Sequence, residues 1–142
     1  MNFCVEIGEA TFFSKTITDA DLLMFSAISG DFDPVYVDEE YAKTTPFGRR
    51  IAHRIAVLGL MSAAEWEMSR RIVARGGSGK TVSLGYEGVR FLKPVFVGDT
   101  LKAQYTIAEL LPEKARAIGR CEIRNQRNET VLVGNHLMKW VS

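Results

Sequence analysis

What this chain has little of narrows it first. Among 142 residues there are two cysteines, Cys4 and Cys121, and two histidines, His53 and His136. The cysteines stand far apart and in no Cys-x-x-Cys spacing, so neither a disulfide framework nor a structural zinc is expected, and a reducing, cytoplasmic setting is the simplest reading. Charge of one sign is lacking as well. Eighteen Lys+Arg against 17 Asp+Glu leave +1, too little for an overall field that would draw nucleic acid or a membrane surface. No run of about 18 apolar residues is present to span a bilayer. The opening Met1-Asn2-Phe3-Cys4-Val5-Glu6-Ile7 alternates like a strand and lacks the basic start and apolar block of a secretory signal. Repeats, low-complexity tracts and domain linkers are missing too. With 46% hydrophobic and 25% charged residues, the composition predicts one globular domain over 1–142 whose specificity lies in a pocket or a surface patch.

The helical signals come first along the chain. Thr18-Asp19-Ala20-Asp21 places a hydroxyl cap three residues before a carboxylate, and Leu22, Leu23, Phe25 and Ile28 follow at roughly helical spacing until Ser29-Gly30, predicting a helix over 19–29. Asp38 can cap a second small turn over 39–43. From 51 to about 72, Ile51, Ile55, Leu58, Leu60, Met61, Ala63, Ala64, Trp66 and Met68 cover most of a helix circumference, the mark of a buried helix. Gly77-Ser78-Gly79-Lys80-Thr81 tempts a phosphate-loop reading, but position 74 is Ala where that motif needs Gly. That motif also needs a strand before and a helix after, and the order expected here is the reverse. Strands are expected over 82–92, 100–111, 115–124 and 131–141, separated by turn residues. An N-terminal strand, one long helix and four long antiparallel strands make an α+β domain in which a sheet wraps a helix. Its long open edges are covered most cheaply by pairing two protomers, so a homodimer is expected.

Asp31-Phe32-Asp33-Pro34-Val35-Tyr36-Val37-Asp38 packs three carboxylates and a phenol just past a helix end, and Pro34 biases Asp33 toward extended backbone. Two readings stand side by side: a capped surface turn, or an acid/base site in which Asp31 handles a water and Tyr36 donates a hydrogen bond. His53, at the start of the apolar helix, reads first as a packed, hydrogen-bonded ring. The unpaired N–H groups of that helix start, around 52–56, suit the polarisation of a carbonyl oxygen. Ser62 lies further along the same helix, polar among apolar neighbours, and its plain reading is a hydroxyl bonded back to a helix carbonyl. Arg49-Arg50 and Arg70-Arg71 read as solvated faces that can also meet phosphates.

Together these residues carry a resemblance. Phe25-Ser26-x-x-Ser29-Gly30-Asp31-x-Asp33-Pro34-Val35-x-Val37-Asp38, then Ile51-Ala52-His53, then Val89-Arg90-Phe91-Leu92-x-Pro94-Val95-x-Val97-Gly98-Asp99-Thr100 resemble the MaoC-like dehydratases, the (R)-specific enoyl-CoA hydratases of the hot-dog fold. Asn125-Gln126 followed by 131–134 resembles the family's closing hairpin. The resemblance implies a dimeric hot-dog protein that takes an acyl thioester such as an acyl-CoA. No metal and no cofactor are implied, coenzyme A entering only as part of the substrate. It further implies Asp31 as a water-activating group, a backbone N–H near His53 as the oxyanion donor, and Ser62 as a pocket-lining residue.

Three positions depart from the family pattern. Asp33 stands in place of Asn, Tyr36 in place of the catalytic His, and His53-Arg54 in place of His-Gly. An unperturbed phenol ionises near ~10 against ~6.5 for imidazole, which at neutral pH opposes its use as a base by roughly 4 kcal/mol. Asp31 and Tyr36 are therefore expected as base and proton donor, with Asp33, His53, Arg54 and Ser62 around the substrate. The leading reading is a lyase that hydrates trans-2-enoyl-CoA or dehydrates 3-hydroxyacyl-CoA. The alternatives are a non-catalytic acyl-thioester-binding subunit of an active homologue and a hot-dog thioesterase.

Overall fold

The computed structural model describes residues 2–77 and 79–141. Strand β1 (Ala10–Thr16) leads into α1 (Asp19–Ser29), the short α2 (Pro34–Val37) and α3 (Glu39–Ala42), and the long α4 (Arg54–Ala74). Strands β2 (Lys80–Phe91), β3 (Thr100–Leu111), β4 (Arg116–Arg124) and β5 (Thr130–Val141) follow. All pairings are antiparallel, in the order β1-β3-β4-β5-β2. The sheet curves around α4 in the expected hot-dog arrangement. Leu101, Ala103, Tyr105 and Ile107 alternate into the core along β3 and meet Val57, Met61, Ala64, Met68 and Ile72 of α4. Thr11 of β1 fastens the helix by donating to the Ala64 carbonyl at 2.6 Å. Among the described residues no helix is long and apolar enough to cross a membrane.

Local signals placed α1 well. Thr18 Oγ1 accepts from the Asp21 N–H while the Asp21 carboxylate accepts from the Thr18 N–H, a reciprocal capping box. Gly30, in the left-handed region at φ 81°, closes the helix by donating to the Ser26 carbonyl.

The expectations fail at three places. The alternation over residues 2–7 is not a strand: Phe3 and Val5 are buried, with Phe3 4.3 Å from the Trp140 ring, but among the described residues this stretch has no ladder partner and the strand lies at Ala10–Thr16. Alternation here reflects packing against the core. The long helix starts at Arg54 rather than 51, because Ile51 bridges Phe96 and the Ala52 N–H donates to the Val95 carbonyl. Nor is that helix buried all round. Ile55, Trp66 and Val73 are 59%, 61% and 57% exposed, so one face is left uncovered by this chain. The glycine-rich run joins α4 to β2, helix before and strand after, as expected; Ser78 itself lies outside the described residues.

Candidate active site

The loop after α1 is held chiefly by its main chain. The Asp31 N–H donates to Ser29 Oγ at 3.1 Å, and His53 Nε2 donates to the Asp31 carbonyl at 3.2 Å. Ser26 Oγ lies 3.0 Å from the same nitrogen. Because the carbonyl can only accept, Nε2 carries the proton in the neutral ring and Nδ1, buried without a partner, is left as an acceptor. The ring is 2% exposed, packed between Phe25 and Tyr36 at centroid distances of 4.8 and 3.9 Å. The plain reading of His53 therefore holds for its side chain: it positions the loop, and only its backbone remains to face a substrate.

Asp33 has the extended backbone expected before Pro34 (φ −51°, ψ 129°), and its Oδ1 accepts from the Val35 N–H as the cap of α2. Its own N–H donates to Asp31 Oδ1 at 3.2 Å. Asp38 caps α3 in the same way, through the Tyr41 N–H. The acidic loop is thus a capped turn, and it also orients Asp31, whose side chain stays exposed. One turn on, Tyr36 stacks on His53. Burial, reinforced by the charges of Asp31 and Asp33 and opposed by Arg54, pushes its phenol above the ordinary 10.0. At neutral pH it is a proton-bearing donor. Arg54 is exposed, with its guanidinium 6.0 Å from the Phe91 ring centroid.

The first turn of α4 is open. His53 is its N-cap and makes no side-chain cap bond, so the N–H groups of Arg54 to Ala56 lack intrahelical partners. Asp31, Asp33, Tyr36, His53 and Arg54 therefore converge on one corner. Ser62 does not join them. Eight residues beyond Arg54, about 12 Å along the helix axis, it is exposed, makes no side-chain hydrogen bond among the described residues, and lines a separate small cleft. An apolar groove of ≈ 310 Å³ lies beside the helix start, between α1 and α4, lined by Phe25, Ile28, Ala52, Ala56, Val57 and Leu60.

Sequence reasoning missed a second polar cluster. Tyr86 Oη donates to Glu65 Oε1 at 2.5 Å, His136 Nε2 hydrogen-bonds with Ser83 Oγ at 2.8 Å, and His136 Nδ1 with Tyr105 Oη at 3.0 Å. Burial pushes the Glu65 carboxyl up from 4.5 to about 7, and pushes His136 down from 6.5 to about 4. The 3.5 Å approach of His136 Nε2 to Glu65 Oε1 is accordingly not an ion pair. The available signal was Glu65 itself, an acid on the same helical stripe as Met61, Met68 and Ile72.

This cluster sets a pH dependence. The folded chain keeps on Glu65 a proton that the unfolded chain releases between pH 4.5 and about 7, so its stabilisation is complete at low pH and lost as pH rises through that window. His136 acts oppositely: the unfolded imidazole takes up a proton below 6.5 that the folded one refuses until about 4, so stability falls as pH drops through that range. Glu65→Gln removes the first slope and leaves the second. Relative to wild type the variant should gain roughly 3 kcal/mol between low pH and about pH 8 in urea denaturation. A stability difference independent of pH would rule Glu65 out as the titrating group.

The basic pairs are mostly engaged. Arg50 binds Asp19 and Glu39, Arg49 covers the Phe96 ring, Arg70 pairs with Glu67, and Arg71 with Glu9. Among the described residues no group of three or more His, Cys, Asp or Glu side chains could hold a metal.

Comparison with known proteins bears on this corner. Residues 5–127 match the MaoC like domain. The 3-hydroxybutyryl-CoA dehydratase of Methylorubrum extorquens is 33% identical over 135 residues, covering 95% of this chain and 80% of its own. The (R)-specific enoyl-CoA hydratase of Rhodospirillum rubrum is 36% identical over 110 residues, 78% of this chain and 71% of its own. Among solved structures, the R-hydratase PhaJ1 from Pseudomonas aeruginosa superposes with a TM-score of 0.80 at 36% identity, covering 96% of this chain and 82% of that one. The (R)-hydratase from A. caviae does so with a TM-score of 0.83 at 29% identity, covering 96% and 98%. The match runs from before β1 to the β4–β5 turn and so takes in the acidic loop, the pinned His53 and the open start of α4; the chain belongs to the MaoC-like domain family.

Proposed function

We propose that this chain is a hydro-lyase that adds water to a trans-2-enoyl-CoA to give the (R)-3-hydroxyacyl-CoA, or removes it in the reverse direction. The observation that carries the reading is the His53 bond to the Asp31 carbonyl. It ties the acidic loop to the cap of α4, so that one carboxylate and one uncapped helix start lie at the same corner. Asp31 takes a proton from water as the water oxygen bonds to C3. The electron pair of the double bond shifts onto the thioester oxygen, where first-turn N–H groups of α4 stabilise the developing charge. Tyr36 delivers a proton to C2 and is reset by the proton on Asp31, so the sum is one water added. Coenzyme A is part of the substrate, and no dissociable cofactor or metal is needed. The uncovered face of α4 and the open edge of β2 support a homodimer.

Tyr36→Phe keeps the ring that stacks on His53 and removes only the donor. It should lower kcat by about 10²-fold with little change in KM, followed by loss of the conjugated enoyl-thioester absorbance. Unchanged kcat would remove Tyr36 from the proton path. The resemblance implies an imidazole where Tyr36 stands, and that difference favours a second reading, a non-catalytic thioester-binding subunit. Co-purification with a second hot-dog chain, together with no turnover by the isolated protein, would support it.

A further inference from the structure

The polar cluster around Glu65 and His136 opens on a cleft, and its hydrogens can be placed. Tyr105 is fully buried, and its hydroxyl has one partner among the described residues, His136 Nδ1 at 3.0 Å. A phenol hydrogen in a core needs an acceptor, so Tyr105 donates and Nδ1 accepts. The neutral ring then carries its hydrogen on Nε2, which donates to Ser83 Oγ at 2.8 Å. Ser83, used as an acceptor, keeps its own hydrogen to give. Thr81 Oγ1 donates to Ser69 Oγ at 2.6 Å and leaves the Ser69 hydrogen free in the same way. Tyr86 Oη donates to Glu65 Oε1 at 2.5 Å, so Oε2 is the oxygen left to carry the carboxyl proton. These groups meet in a cleft of ≈ 180 Å³ bordered by Ser62, Glu65, Ser69 and Ser83, to which Lys80 adds a positive charge. The Glu65 side chain is only 10% exposed, and Oε2 has no hydrogen-bond partner among the described residues. Trp66, Val82 and Met138 supply an apolar wall.

We propose that this cleft is a binding site for a short aliphatic carboxylate of about two to four carbons, held by hydrogen bonds from Glu65, Ser69 and Ser83 with its alkyl part against Val82 and Met138. The site is separate from the corner at Asp31 and independent of the hydro-lyase reading.

The direction of the hydrogens selects the occupant. Donors converge on the space, so its ligand must accept without donating, as a carboxylate does with both oxygens. Against the Glu65 carboxyl it forms a charge-assisted O–H···O⁻ bond, two carboxyl groups sharing one proton. A plain alkyl group would strip water from these hydrogens and return no bond. An ammonium group would bring more donors and meet Lys80. Phosphate accepts equally well but has no apolar part to lay on the wall. At roughly 30 Å³ for each water-sized atom the cleft holds about six, as many heavy atoms as butyrate has.

Binding is thereby tied to pH. The complex needs the proton on Glu65, whose carboxyl burial raises to about 7, so affinity is full below that value and falls above it. The other titratable groups that face Glu65 keep their state across this range. Burial pushes His136 down to about 4 and Cys121 up to about 12, and raises the phenols of Tyr86 and Tyr105.

The test is calorimetric titration of the intact protein with butyrate at pH 6 and pH 8, each in two buffers of different ionisation enthalpy. The Kd should be about tenfold weaker at pH 8, where binding takes up about one proton per butyrate, against almost none at pH 6. Glu65→Gln, whose amide offers a hydrogen that does not titrate, should bind alike at both pH values with no proton uptake. Glu65→Leu should lose binding. Butanol and inorganic phosphate should each bind at least about tenfold more weakly than butyrate. Affinity that is equal at the two pH values in wild type, or binding that survives Glu65→Leu, would place the carboxylate elsewhere, as at the uncapped start of α4, and overturns the proposal. Absence of butyrate binding overturns it too, as does butanol or phosphate matching butyrate.

Discussion

Asp31→Ala is expected to lower the hydration of a short trans-2-enoyl-CoA by about 10³-fold or more, within the range that removal of a general base costs. The size follows from how few substitutes the corner contains. Tyr36 holds its proton at neutral pH, because burial and two neighbouring carboxylates raise its phenol. Asp33 spends one oxygen on the cap of α2, and the His53 ring is buried with its Nε2 committed to a backbone carbonyl. Asp31 has one oxygen engaged as well, by the Asp33 N–H, so the free Oδ2 of Asp33 is the one substitute from which residual activity would come. The change should leave the fold intact, since the Asp31 side chain is exposed, the one bond it gives up, from the Asp33 N–H, lies at the surface, and the backbone N–H and carbonyl of residue 31 still fix the loop. The assay also separates the competing chemistries. Release of free coenzyme A would mark thioester hydrolysis, and activity unaffected by Asp31→Ala would end the assignment of Asp31 as base.

The second large effect is on stability. Gly119→Ala should destabilise the protein by about 3 kcal/mol or more. Gly119 sits mid-strand in β4, paired with Ile107 on one side and His136 on the other. A Cβ built there would fall inside the ring of Tyr105. Tyr105 is fully buried and its hydroxyl hydrogen-bonds with His136, so it cannot step aside without opening the core and breaking that bond. Combining Gly119→Ala with Tyr105→Leu, which removes the colliding ring, should cost less than the two single changes summed, a coupling readable in urea denaturation. Additive costs would mean that the glycine is required for some other reason.

Elements whose causes are local could be read from sequence. Helix α1 begins and ends at the expected residues because Thr18, Asp21 and Gly30 act within a few positions of one another. Strand β3 also matches its expected bounds. Where causes are distant, reading by period went astray. The start of α4 is set by Ile51 and Ala52 binding to Phe96 and Val95, more than forty residues away in sequence, and an apolar count along the helix does not register that. The buried spacing of Phe3 and Val5 looked like a strand because packing against Trp140 produces the same alternation as a ladder. At the site, Asp31, Asp33 and Tyr36 are linked by one short turn and could be grouped, whereas the part played by the His53 side chain emerged only once its contact with Asp31 was known. Glu65, Tyr86, Tyr105 and His136 come from one helix and three strands, and no motif spacing relates them.

The way the acidic turn is fastened separates its course from its chemistry. Its anchors at residue 31 are a peptide hydrogen and a peptide oxygen, which every amino acid but proline supplies alike. The carboxylates of Asp31, Asp33 and Asp38 add side-chain acceptors for nearby N–H groups, a task that any short acceptor can perform. A lineage can therefore exchange one displayed group for another without first having to invent a new path for the backbone.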